Sequence, residues 1–101
     1  MTTIEEITTI IDGLMLDLLG PLRTAKTINQ GALTQLTEAL DALQPLLELE
    51  TMVPKNLVGK LWFIFTSMLS EAEHARSNRE QIETAAWGIQ ERLRHLFGPK
   101  F

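Results

Sequence analysis

Apolar positions along this chain recur every three or four residues and never alternate strictly for long, a pattern that predicts helices and no sheet. In TIEEITTIIDGLMLDLLG the stripe is Ile4, Ile7, Ile11, Met15 and Leu18. Thr3 and Glu6 have the spacing of a capping box, which marks the start, and Gly20-Pro21 predicts the stop. The polar, weakly patterned PLRTAKTINQG, residues 21–31, predicts a short irregular connector. In ALTQLTEALDALQPLLELE the stripe is Leu33, Leu36, Leu40, Leu43 and Leu47. Pro45 removes a backbone donor and crowds the carbonyl of Asp41, yet it points away from the leucines. A bend around the core is expected there, with a break after Leu43 as the alternative.

TMVP is a linker whose Pro54 suits the first turn of a third helix. That helix contains KLWFIFTSML, five apolar residues in a row with three aromatic rings. The run is bounded by Lys60 and Glu71 and falls far short of the roughly twenty apolar residues needed to span a bilayer. The period continues through Leu57, Leu61, Ile64, Met68 and Ala72, so the run is read as helix. Val58, Trp62, Phe65 and Leu69 widen its apolar arc to roughly 160°, enough for two or three neighbours. After ARSNRE, a turn with a second capping box at Ser77–Glu80 or Asn78–Gln81, the last stripe is Ile82, Ala85, Ile89, Leu93 and Leu96. Gly98-Pro99 ends it.

These elements predict one all-α domain over residues 1–101, an antiparallel bundle of four main helices near 4–19, 32–49, 55–75 and 78–97. Its core should hold Ile7, Ile11, Leu18, Leu36, Leu40, Leu43, Leu61, Ile64, Phe65, Met68, Ile82, Ile89 and Leu93.

Three large side chains do not fit the stripes. Phe63 falls among Gly59, Thr66, Ser70 and His74. Trp87 lies opposite its helix's apolar stripe, between Glu83 and Glu91. Leu16 lies with Glu5, Thr9 and Asp12. In a hairpin of helices three and four, Phe63 and Trp87 come to similar heights, about 5 Å apart along the axis. Either these side chains cover the connector 21–31 or the tail ending in Phe101, or they anchor a partner. Exposed Trp and Phe ringed by polar groups are the side chains that anchor interfaces. On the second reading Trp87 is the central anchor, Phe63 and Leu16 join it, and Glu83, Glu91 and Arg94 form a polar rim.

Charge narrows the partners. The net charge is −4 over 101 residues. The first fifty residues hold eight acids against Arg23 and Lys26, a balance of −6, and the remainder is +2. This argues against nucleic acid, which needs a concentrated basic face, and lets the two halves attract each other. Cysteine is absent, so there is neither a disulfide nor a thiolate site. MTTIEEITTII carries acids where a signal peptide needs bases. A cytoplasmic protein is expected, with no membrane partner.

Catalytic chemistry is sparse. Glu71 and His74 have the Glu-x-x-His spacing of carboxylate-bridged bundles, but such a site needs two copies of it. The other histidine, His95, follows Glu91 by four residues and should lie roughly 20–25 Å from His74. No nucleophile elbow surrounds Ser67, Ser70 or Ser77, and no glycine-rich loop is present. In size, acidity and four-helix make-up the chain resembles bacterial immunity proteins, which neutralise a toxin by direct binding. The tyrosine-bearing recognition helix of the colicin immunity family has no counterpart in a chain without tyrosine. The sequence thus predicts a non-enzymatic binding module without cofactor, of bacterial type, holding another protein or its own copy. The alternatives are a metal-binding bundle using Glu71 and His74, or a small-molecule carrier.

Overall fold

The computed structural model describes residues 2–98, which form α1 (Ile4–Ala25), α2 (Gln30–Leu47), α3 (Lys55–Glu73) and α4 (Arg79–Phe97). Thr3 caps α1, its hydroxyl accepting from the Glu6 amide at 3.1 Å. Gly20-Pro21 does not stop this helix, which runs on to Ala25. Pro21 deprives the Asp17 carbonyl of its helical donor. Asn29 replaces it, its Nδ2 donating to that carbonyl at 3.3 Å. The same side chain caps α2, its Oδ1 accepting from the Ala32 amide at 3.1 Å. The irregular connector therefore shrinks to residues 26–29, and Leu22, inside the segment expected to be irregular, is fully buried.

The connector begins with a left-handed residue, Lys26, at φ 53°. Its ammonium reaches Glu71 of α3 at 2.5 Å, and its carbonyl accepts from Asn78 Nδ2 at the start of α4. With its side chain committed there, Asn78 does not cap α4, and neither version of the second capping box forms. Pro45 stays within α2 and faces solvent, so the break after Leu43 does not occur. Gly98 ends α4 at φ 111°; Pro99 and Phe101 lie outside the described residues.

Each helix has two neighbours. α1 packs on α2 and α3, α4 on α3 and α2, and among the described residues the backbones of the diagonal pairs, α1 with α4 and α2 with α3, stay apart along the helices. Consecutive helices are antiparallel. α1 and α3, however, run parallel, as the Lys26–Glu71 pair joins their C-terminal ends while Glu5 and Pro54 line one groove at their N-terminal ends. The molecule is thus two antiparallel hairpins side by side, joined by the diagonal linker 48–54.

All thirteen side chains expected in the core are buried, together with Leu14, Leu19, Leu22 and others that the stripes omitted. Among the described residues, two of the three ion pairs between the hairpins set an acid of the first against a base of the second, Asp12–Lys60 at 3.1 Å and Asp41–Arg92 at 3.2 Å. The charge imbalance between the two halves of the chain is used in that way.

Candidate protein-binding surface

Among the described residues the interior is apolar apart from Thr8, whose hydroxyl donates to the Ile4 carbonyl at 2.7 Å. No buried side-chain nitrogen or oxygen among them lacks a partner. No group of three acidic or histidine side chains among them is disposed to hold a metal ion. Glu71 is bound to Lys26, and His74 Nδ1 lies 2.8 Å from the Ser70 carbonyl. His95 is 3.9 Å from Glu91. No helix is long and apolar enough to cross a membrane, again among the described residues.

The surface is more informative. On α3 the core takes Leu57, Leu61, Ile64, Phe65, Met68 and Ala72, which sends Phe63 outward and leaves it 43% exposed. With Leu16, 78% exposed, it lines the groove between α1 and α3, a depression of about 260 Å³ that Met15 and Leu19 also line. Arg23 lies over the Phe63 ring at 5.5 Å. That residue belongs to the segment expected to be a connector, which therefore does touch Phe63 without burying it.

Trp87 occupies the other flank of α3. It is 50% exposed, and its indole packs against buried Phe65 with centroids 5.7 Å apart. Trp62 also tilts against the Phe65 ring, with centroids 6.1 Å apart. The sequence assigned Trp62 to the core arc, and this requires correction, since it stands 51% exposed. It lies at the edge of the arc, where α4 covers Phe65 but leaves the next position in solvent. A wheel cannot find that edge, because the edge depends on where the neighbouring helix sits.

The six expected side chains thus divide. Leu16 and Phe63 share the α1–α3 groove. Trp87 lies on the α3–α4 side, with Glu83 one turn before it, and Glu91 and Arg94 beyond. Glu83 accepts from Arg79 at 2.6 Å, a hydrogen bond that holds the guanidinium above its ordinary pKa, with the Glu83 charge adding to it. Arg94 and Glu91 are 3.7 Å apart. Trp62 is the member that sequence reasoning missed, and it links the two halves, as neighbour of Phe63 in the chain and of Trp87 across Phe65. Other large apolar side chains stand apart from this face: Ile10 on α1, and Leu49 and Met52 in the diagonal linker.

No protein-family model, no curated protein and no solved structure matches this chain.

Proposed function

We propose that this chain is a non-enzymatic protein-interaction module, cytoplasmic in setting, that docks through the outward face of α3 and the adjoining flanks of α1 and α4. The supporting observation is the run Leu16, Phe63, Trp62 and Trp87, four large apolar side chains each 43% exposed or more on one side of the bundle. Hydration of two indoles, a phenyl ring and a leucine is unfavourable at about 25 cal/mol per Å² of apolar area. Each keeps that much surface exposed in the single chain, so covering it with a partner would be stabilising. Exposed charges at Glu83, Glu91 and Arg94 supply a rim of the kind that surrounds apolar anchors.

Site-specific photocrosslinking in the source cell tests this. A photoreactive phenylalanine analogue at position 63 or 87 should give discrete protein adducts, whether of a dimer or of a foreign partner. The same group at exposed Gln35, on α2, should not. Absence of adducts at both positions, or equal labelling at Gln35, would remove the surface from consideration.

A further inference from the structure

We propose that the occupant of this surface is a second copy of the same chain, with its α3 antiparallel to the first about a two-fold axis level with Ile64. The inference rests on the docking surface proposed above and adds the partner and its register.

The charges around the face select this arrangement. Along α3, Lys55, Gly59, Trp62, Thr66 and Glu73 follow steps of four, three, four and seven residues, one row on the outward side. Lys55 and Glu73 lie at the two ends of that row, equidistant from Ile64 and about 13 Å from it at 1.5 Å rise per residue. Both are exposed, and among the described residues neither forms an ion pair within 4 Å, although the Glu73 charge lies near enough to Arg79 to help raise its pKa. An antiparallel two-fold through that level sets each Lys55 against the second copy's Glu73, twice. A parallel two-fold would set lysine on lysine and glutamate on glutamate.

The flanking helices repeat the pattern at the same height. On α1, Asp12 and Arg23 lie at opposite ends of the groove that holds Leu16, Gly20 and Phe63, with their midpoint beside Leu18. On α4, Glu83 and Arg94 straddle Gly88, one residue from Trp87, whose ring meets Phe65. On each of the three helices an acid and a base therefore lie about equally spaced from a single level; on the flanking helices Asp12, Glu83 and Arg94 also pair within the chain, with Lys60, Arg79 and Glu91. The same operation brings α1 over the α1 of the second copy and α4 over its α4, so each base approaches an acid. A foreign partner of strong single-sign charge would find no matching field here, because acids and bases alternate across the face. Gly59, Thr66 and Ser70 keep its middle low, and beyond the helix's own local backbone nothing lies within 4 Å of the position a Gly59 β-carbon would take. The ridge of a second helix fits there. A self-complementary patch of this kind closes as a two-fold dimer.

Sedimentation equilibrium of the full chain at low ionic strength tests both the partner and the register. Wild type should dimerise, and Trp87→Ala or Phe63→Ala should weaken association tenfold or more. Lys55→Glu and Glu73→Lys should each raise the dimer dissociation constant about tenfold, with a smaller effect in high salt. An equimolar mixture of those two variants should recover tight association. One variant then carries an acid at both positions and the other a base at both, so opposite charges meet at each end of the mixed dimer. The recovery uses the same two polypeptides that fail alone, so misfolding cannot produce it. A wild type that stays monomeric at several hundred micromolar overturns the inference, and crosslinks to a foreign protein at positions 63 and 87 would still leave the docking surface standing. A dimer lost in Trp87→Ala, with a mixture no tighter than its components, overturns the register while leaving the surface. A dimer indifferent to both aromatic substitutions overturns the inference and the surface together.

Discussion

At Lys26 the backbone takes φ 53°, a left-handed conformation that costs a residue with a β-carbon about 1–2 kcal/mol. Glycine is the usual occupant of such a helix end. Lysine is held there by two attachments: its ammonium on Glu71 and its carbonyl on Asn78, which tie the end of α1 to α3 and α4. The Lys26–Glu71 pair is partly buried, with about a third or less of each side chain exposed, so it is screened less than an open surface pair. Lys26→Ala and Lys26→Gly both remove the ammonium, and only the second relieves the backbone. Urea denaturation should therefore show Lys26→Gly less destabilised than Lys26→Ala by about 1 kcal/mol. Equal losses would mean that the strain is not present in the folded chain.

Among the elements, the junction of α1 and α2 rests on Asn29, which serves two helices with the two ends of one amide. Its oxygen caps α2, and its nitrogen satisfies the carbonyl that Pro21 leaves without a donor in α1. Asn29→Asp keeps the acceptor and removes the donor, and Asn29→Ala removes both. The alanine variant should lose about 1 kcal/mol, the usual worth of a cap, and the aspartate variant only a few tenths. In a Pro21→Ala background the restored amide takes the Asp17 carbonyl, so the aspartate variant should then cost nothing. A double-mutant cycle on thermal unfolding would show this as a coupling between residues 21 and 29. Additive losses would contradict the shared role.

For the whole molecule, the association of the two hairpins is dominated by apolar burial, with the ion pairs between them as a minor addition. Leu61 and Ile89 are fully buried, and truncating either to alanine should cost about 2–5 kcal/mol through lost contacts and the cavity left behind. Lys60 and Arg92 face Asp12 and Asp41 at the surface, where one side chain of each pair is mostly exposed. Lys60→Ala and Arg92→Ala should each cost less than about 1 kcal/mol, and less still in high salt. Comparable losses for the core and surface variants in guanidinium titrations would argue against this ranking.

The sequence by itself determined the four helices, the centre of their core and the presence of apolar side chains off the stripes. Helical period and capping spacing are local properties, legible within a few turns of chain: Thr3 caps as its spacing predicts, and Leu36, Leu40 and Leu43 are buried as their stripe requires. Only the tertiary structure decided where α1 ends, because the donor that lets it pass Pro21 comes from Asn29, across the turn to the next helix. Asn78 is the converse case. Its spacing suits a cap, but the Lys26 carbonyl, distant in sequence, claims the side chain. The grouping of Leu16 with Phe63, and of Trp87 with Trp62 around Phe65, was likewise unreadable from the chain. A wheel gives each side chain's direction about its own axis, whereas the edge of burial and the identity of a neighbour are set by how the helices pack.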